Sequence, residues 1–86
     1  MPEICRFFGI VIAMYFNDHD PPHFHARYGG KVARIAIGTL AVLSGSLPPR
    51  VQGLVAEWAV LHREELAANW ERLRGGRAAR RIDPLQ

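Results

Sequence analysis

Apolar and polar residues alternate along the first half of the chain, and this alternation predicts β-strands. From Phe8 to Phe16 every second residue is large and apolar, so Ile4 to Phe16 is predicted to be one strand with Phe8, Ile10, Ile12, Met14 and Phe16 on its core face. Asn17 to Pro22 contains Asn, Asp and Pro residues that interrupt a strand ladder. The first strand is therefore predicted to run into a polar loop.

Three shorter strands are predicted after this loop, in an antiparallel meander. They are His23 to Tyr28, Val32 to Ile37 and Leu40 to Leu43. Gly29-Gly30 is typical of a two-residue hairpin loop, because glycine accepts the backbone angles that such turns require. The chain from the first strand to Leu43 is therefore predicted to form one sheet of about four strands.

The Gly29-Gly30 turn also predicts the register of the second and third strands. A two-residue loop at this point sets Phe24 opposite Ile35 and His25 opposite Arg34. Apolar residues then face apolar residues, and polar residues face polar ones, which supports this alignment. A one-residue slip would reverse the faces and bury the polar side chains.

From about Pro49 the apolar period changes to three and four residues, which predicts a long helix or a helical pair. Trp58 and Trp70 lie on the apolar stripe and are predicted to be buried. His62 lies between apolar neighbours and is interpreted as a core or boundary histidine. A bend between two helices near this residue is one alternative to a single long helix. Gly75-Gly76 is predicted to end the helical region.

Residues suited to chemistry are concentrated where the loop meets the second strand. Three of the four histidines and two carboxylates lie between Asp18 and His25. Imidazole and carboxylate groups exchange protons and bind divalent metals near neutral pH. His23 and His25 are two residues apart, so they project from the same side of a strand, with Arg27 next on that side. This face is predicted to point away from the core.

One interpretation of this face is a metal-independent ribonuclease. A neutral histidine of the pair His23 and His25 would take the proton of a ribose 2′-hydroxyl, and the charged one would protonate the leaving oxygen. Arg27 or Arg34 would offset the phosphate charge in the transition state. The predicted catalytic set is therefore His23, His25, Arg27 and Arg34.

Two other interpretations of the same segment remain open. His23 and His25 could bind a divalent metal with a third ligand from Asp18, His19 or Asp20, although the H-x-H spacing alone is not specific. Alternatively, the acids, histidines and prolines form a rigid turn at a partner interface. No cofactor other than this metal is suggested by the sequence.

Charge points to nucleic acid as a partner. The formal net charge is +3, with ten arginines against a single lysine, and arginine binds phosphate in a bidentate manner. Arg34 and the tail residues Arg77, Arg80 and Arg81 are the predicted contacts to RNA or DNA. A genome rich in arginine codons would produce the same bias, and a solvated terminus would explain the basic tail.

Length and composition limit the classes of protein to which this chain can belong. A chain of 86 residues is expected to form one small domain, 1–86. No helix or strand is predicted in its basic tail, 77–86, and a flexible tail is compatible with this prediction. No run of about 18 apolar residues is present, so no membrane span is expected. Cys5 is the only cysteine, which excludes an internal disulfide and fits a cytoplasmic protein. The small core makes a homo- or hetero-oligomer a reasonable way to bury more surface.

Several longer motifs resemble one family of small bacterial proteins, the domain of unknown function 4160 family. They are Met1-Pro2-x-Ile4-x-Arg6-Phe7-x-Gly9-Ile10-x-Ile12-x-Met14-Tyr15, Asp18-His19-x-Pro21-Pro22-His23-Phe24-His25, Gly45-x-Leu47-Pro48 and Glu57-Trp58-x-x-x-His62-Arg63-Glu64-Glu65-Leu66-x-x-Asn69-Trp70. Members of that family often sit beside a second small protein, so the resemblance implies a toxin–antitoxin-like pair with a small cognate partner. Where members often carry acids on the third and fourth strands, this chain has Arg34, Ala36 and Leu40 and is more basic.

Together these observations predict an α+β fold in which the antiparallel meander is covered on one face by the C-terminal helix or helical pair. The expected function is that of a component of a toxin–antitoxin-like module that acts on or binds nucleic acid, as a ribonuclease if the His pair is catalytic. The alternative is a non-catalytic protein-binding or regulatory half of such a pair.

Overall fold

A computed structural model describes residues 3–16, 18–19 and 21–86, and it has the predicted α+β architecture. Its elements are β1 (Glu3–Phe7), β2 (Ile10–Ala13), β3 (His23–Tyr28), β4 (Lys31–Ala36), β5 (Val42–Gly45), α1 (Pro49–Leu61) and α2 (Arg63–Arg74). The strands form one antiparallel sheet in the order β1-β2-β3-β4-β5, so each strand pairs with its neighbour in sequence. The sheet has five strands rather than about four.

The extra strand arises because the segment Ile4 to Phe16 is a hairpin, and the prediction of one continuous strand is wrong. Phe8 and Gly9 form the turn, with φ angles of 51° and 79°. Glycine adopts such angles freely, whereas phenylalanine rarely does, so the turn has no strong sequence signature. The turn leaves Phe8 59% exposed, and Phe16 beyond β2 is 58% exposed, so neither belongs to the predicted core face.

The register of β3 and β4 is confirmed. Phe24 pairs with Ile35 and His25 pairs with Arg34, as the Gly29-Gly30 loop predicts. Phe24 and Ile35 are buried, whereas Arg34 is half-buried on the opposite face. The polar face of β3 is therefore aligned with that of β4.

The last strand begins two residues later than predicted. Leu40 has a φ angle of 64°, and the amide of Ala36 donates to the carbonyl of Ala41, so this segment is a turn rather than part of a strand. β5 then ends at Gly45, whose φ is 78°. A Cβ atom at that position would lie 2.0 Å from the carbonyl oxygen of Val32. Glycine therefore allows the close approach of β5 to β4.

The two helices pack against the sheet and complete the core. They meet at His62, which confirms a helical pair, and α2 ends before Gly75 as predicted. Trp58 is fully buried, with its ring centroid 5.6 Å from that of Phe7 and 6.0 Å from that of Phe24. Among the described residues, no helix is long and apolar enough to cross a membrane.

The segment 77–86 has no helix or strand, but it is attached to the body at several points. The amide of Ile82 donates to the carbonyl of Ile4 at 2.9 Å, and the buried side chain of Asn69 both donates to and accepts from the backbone of Arg80 at 2.8 Å. The indole Nε1 of Trp58 donates to the carbonyl of Asp83. The tail therefore closes one side of the core.

Candidate functional site

Asp18, His23 and His25 converge in one cluster, which we call the Asp-His-His cluster. Oδ2 of Asp18 lies 2.9 Å from Nε2 of His23 and 3.1 Å from Nε2 of His25. One potential ligand atom from each residue lies within 4.8 Å of the other two. Two imidazole nitrogens thus face the same carboxylate oxygen.

Strand geometry and the preceding loop bring these residues together. His23 and His25 are the first and third residues of β3, so they project from the same side of the strand. Asp18 precedes β3 in sequence, and its carboxylate lies at both rings. Tyr15 packs edge-to-face on His25, with ring centroids 4.6 Å apart.

His23 is fully buried, so the prediction that the whole His23–His25–Arg27 face points away from the core is wrong at this residue. The ring of Trp70 on α2 lies 5.3 Å from the ring of His23, centroid to centroid. His23 begins β3, and α2 covers this end of the strand. His25 and Arg27 follow the prediction, because His25 is 20% exposed in its side chain and Arg27 is exposed.

The hydrogen bonds of His23 define which of its nitrogens is a donor. Nδ1 lies 2.8 Å from the carbonyl oxygen of Pro21, which can only accept, so Nδ1 carries a proton. In a neutral ring Nε2 then presents a lone pair to Asp18. Although Oδ2 is 2.9 Å away, Nε2 makes no well-directed hydrogen bond to any described residue, and it is buried.

The electrostatics of the cluster favour an ionised Asp18. Partial burial alone would raise the pKa of this carboxyl, but the hydrogen bond from His25 and the charges of the His23 and His25 rings outweigh it, so the pKa is lowered from its ordinary value. The backbone amide of His19 also donates to the Asp18 carboxylate. Asp18 therefore carries a negative charge over a wider pH range than an isolated aspartate.

Two arginines lie on the sheet face that carries His25. Arg34 is directly opposite His25 on β4, and its Nε donates to Oγ of Ser44 at 2.9 Å. Arg27 lies two residues after His25 on the same side of β3 and is exposed. The predicted residues His25, Arg27 and Arg34 thus share one surface, next to the Asp-His-His cluster.

A cleft of about 200 Å³ opens beside Asp18 and is lined by Tyr15, Asp18, Trp70, Leu73 and Arg74. Trp70 was predicted as a core residue, and Arg74 carried no site prediction. Both come from α2, far along the chain from the cluster. No local motif indicates that α2 passes this end of β3, so sequence reasoning missed their contribution.

The arginines of the tail form a separate group. Arg77, Arg80 and Arg81 line a second cavity with Arg72 of α2. Arg81 also lies 3.5 Å from the carboxylate of Glu3 on β1, whereas Arg34 is on β4, with β2 and β3 between them. The structure therefore does not join the predicted nucleic-acid contacts into one surface.

The other predicted metal ligands are placed differently. The side chain of His19 is exposed and is outside the cluster formed by the described residues. Asp20 lies outside the described residues. His62, interpreted as a core or boundary histidine, is half-buried, and its Nδ1 contacts Oε1 of Glu65.

The arrangement limits the chemistry available to each histidine. Both nitrogens of His23 face protein groups, and its ring is buried, so it cannot contact a substrate in this conformation. His25 and Asp18 keep 20% and 22% of their side-chain surface exposed. An acid–base role on a substrate therefore falls to His25, with Asp18 orienting it.

The family model described as Domain of unknown function (DUF4160) matches residues 9–71 of the chain. This range contains all three residues of the Asp-His-His cluster, both arginines of the adjacent surface and most of α2. A comparison with curated proteins found no match, and a comparison with solved structures found none either.

Proposed function

We propose that this chain, which belongs to the DUF4160 family, binds the phosphate backbone of nucleic acid as one component of a toxin–antitoxin-like pair in the bacterial cytoplasm. The observation that carries the proposal is the cross-strand pair of His25 and Arg34, with Arg27 on the same face and the Asp-His-His cluster beside it. The net charge of +3 favours a polyanionic partner.

The two arginines are suited to phosphate groups for physical reasons. Arg34 pairs with His25, so Arg27 and Arg34 are diagonal neighbours on adjacent strands, and such residues are about 7–8 Å apart. Side chains as long as arginine can reach two successive phosphates of an extended nucleic acid strand from that separation. Arg27 is exposed, and Arg34 uses its Nε on Ser44, which orients the guanidinium group and leaves its terminal nitrogens as further donors. The surface can therefore contact two phosphates of a single strand.

Geometry favours binding over the two-histidine cleavage mechanism. That mechanism needs both rings at the substrate, and His23 is buried beneath Trp70. If cleavage accompanies binding, His25 is the proton acceptor that the surface offers, and Asp18 holds its Nε2. RNA rather than DNA would then be the substrate, because the 2′-hydroxyl supplies the nucleophile.

The test is a titration of a labelled single-stranded RNA with wild-type protein and an Arg27→Ala/Arg34→Ala variant, at several salt concentrations. We expect at least a tenfold loss of affinity and a salt slope shallower by about 1.4, since each phosphate contact on a single strand contributes about 0.7. The matched control is Arg50→Ala/Arg63→Ala, which removes two exposed arginines that belong to α1 and α2 and not to the strands that carry Arg27 and Arg34. An equal loss in both double variants would reduce the effect to net charge and contradict the proposed surface.

A His25→Ala variant separates binding from cleavage in the same experiment. If the wild type shortens the RNA and His25→Ala does not, while both bind it, His25 is catalytic. If neither protein cleaves but both bind, the chain is a binding component only. Undiminished cleavage by a folded His25→Ala variant would remove this residue from the mechanism.

A second candidate function, the protein-binding half of the pair, is favoured by the β5 edge of the sheet. β5 is an edge strand that is exposed throughout, and Val32, Val42 and Leu43 near it are between 37% and 44% exposed. An exposed strand edge with apolar side chains is a template for adding a strand from another chain. Co-expression with the neighbouring gene product, followed by sizing of wild type and a Val42→Lys variant, tests this function without RNA.

A further inference from the structure

We propose that Asp18, His23 and His25 form a binding site for one divalent transition-metal ion with zinc-like ligand preferences. This inference goes beyond nucleic-acid binding and does not depend on it. Two imidazoles and one carboxylate are a ligand set for zinc, iron, cobalt or nickel, whereas magnesium and calcium prefer oxygen ligands.

The three ligand atoms are already close to the spacing that such an ion requires. Bonds of about 2.0–2.1 Å in tetrahedral geometry put neighbouring ligand atoms about 3.3 Å apart. Oδ2 of Asp18 is 2.9 Å and 3.1 Å from the two Nε2 atoms. Oδ2 would need to move away from each nitrogen by only a few tenths of an ångström. The two Nε2 atoms, which lie within 4.8 Å of each other, would need to approach by up to about 1.5 Å. Asp18 lies outside the strands, so a small shift of its side chain costs no ladder hydrogen bond.

The orientation of His23 is the second, independent observation. Its Nδ1–H donates to the carbonyl of Pro21, so in the neutral ring the lone pair is on Nε2. That Nε2 is buried, points at the cluster and has no hydrogen-bond partner among the described residues. In the neutral ring this lone pair faces the carboxylate oxygen 2.9 Å away, an unfavourable contact that a proton on Nε2 or a bound cation relieves. A metal ion would bind Nε2 of His23, the carboxylate of Asp18 and Nε2 of His25 at once, whereas a proton on Nε2 joins only His23 to Asp18.

The surroundings leave room for further ligands. The cleft beside Asp18 has a volume of about 200 Å³, enough for one or more water molecules in the open coordination positions. Arg74 lines the same cleft, so an anionic group bound to the metal would meet a positive charge. Trp70 packs on His23 and excludes water from one side of the site. The site therefore has three protein ligands and one open side.

The experiment uses the full chain without a histidine tag, stripped of metal with a chelator. Zn²⁺ is titrated calorimetrically, and Co²⁺ is followed by its visible absorption, which reports the coordination geometry. We expect one ion per chain, a tetrahedral or five-coordinate Co²⁺ spectrum and a higher melting temperature with metal. Asp18→Asn and His25→Ala should each weaken binding more than tenfold. Both residues are partly exposed, and circular dichroism checks that the variants are folded.

The matched controls are His19→Ala, an exposed histidine beside Asp18, and His62→Ala, a histidine that packs on the other tryptophan. Both should bind Zn²⁺ within about twofold of the wild type. The proposal is overturned if the wild type binds no ion, if folded Asp18→Asn and His25→Ala variants bind as the wild type does, or if His19→Ala loses binding equally. Because no nucleic acid is present, these outcomes are independent of the proposed RNA surface.

Discussion

Two histidines of this protein pack on tryptophans, and their surroundings differ. The ring of His23 lies 5.3 Å from Trp70, and that of His62 lies 5.5 Å from Trp58, centroid to centroid. Each histidine also meets a carboxylate, Asp18 in one case and Glu65 in the other. His23 is fully buried and has a second histidine 5.2 Å away, whereas His62 is half-buried at the junction of two helices.

The difference shows why residue type alone does not define a site. His62 and Glu65 are three residues apart at the start of α2, and the side chain of Glu65 is 53% exposed. Such a pair is a local surface contact. Around His23, the ring is oriented by a backbone carbonyl, its second nitrogen is buried, and a carboxylate and a second histidine lie close by under the distant Trp70 of α2. A local cluster of potential ligands that a distant helix partly buries makes this the candidate site.

The largest effect is expected from the tryptophans themselves. Trp58→Ala and Trp70→Ala should each lower the free energy of unfolding by about 3–5 kcal/mol, because both side chains are almost fully buried. Urea denaturation measures the loss. Leu61→Ala, which truncates a side chain that is 66% exposed, is the control and should change stability by less than about 0.5 kcal/mol. A tryptophan variant that unfolds like the control would show that its ring is not in the core.

The next largest effect on stability is expected from substitution of the two histidines, and its size should differ between them. His23→Ala is expected to cost about 2–4 kcal/mol, since it leaves a cavity under Trp70 and removes the hydrogen bond between Nδ1 and the carbonyl of Pro21. His62→Ala should cost less than about 1 kcal/mol, because its contacts are partly exposed. Thermal unfolding of both variants in the presence of a chelator gives the comparison without any metal contribution. Equal losses would mean that burial does not distinguish the two positions.

The indole N–H groups offer a finer comparison. Nε1 of Trp58 donates to the carbonyl of Asp83 at 2.8 Å, whereas Nε1 of Trp70 is buried with no partner among the described residues. Replacement by Phe removes a hydrogen bond only in the first case. We expect Trp58→Phe to cost about 1–2 kcal/mol more than Trp70→Phe. Denaturant midpoints of the two variants measure this difference, and the opposite order would contradict the assignment of the Trp58 hydrogen bond.

The smallest effect is expected at the surface pair. Glu65→Gln should lower stability by less than about 0.5 kcal/mol, and the loss should shrink as salt is added, because the side chain of Glu65 is exposed. Melting temperatures at low and high salt measure it. Glu64→Gln, an exposed neighbour in the same helical turn, controls for the change in net charge and in the helix dipole. A large, salt-independent loss in Glu65→Gln alone would show that the His62–Glu65 pair is structural after all.

Local signals in the sequence predicted a substantial part of the fold. The register of β3 and β4 follows from the Gly29-Gly30 turn, because turn geometry and the alternation of apolar residues specify the same pairing. The helical pair and its end before Gly75 follow from the period of the apolar residues and from glycine. The prediction that His25, Arg27 and Arg34 share one face also follows from the sequence, because two-residue spacing and one hairpin are sufficient to define that face.

Other features of the fold depend on backbone conformations that the residue type does not predict. Phe8 occupies a left-handed turn position that is uncommon for its side chain, so the β1–β2 hairpin was predicted as one strand. Leu40 likewise takes a positive φ and delays β5. In both cases pairing across the whole sheet decides the backbone angle, and the local propensity of one residue is overridden.

The sequence by itself determined which residues could form a site, and the tertiary structure decided what each of them can do. Composition and spacing identified Asp18, His23 and His25, but not that His23 is buried under Trp70. Nor did they show that both rings face one carboxylate. The physical reason is that the burial of His23 depends on α2, which is distant in sequence and reaches this end of β3 only when the helices pack on the sheet.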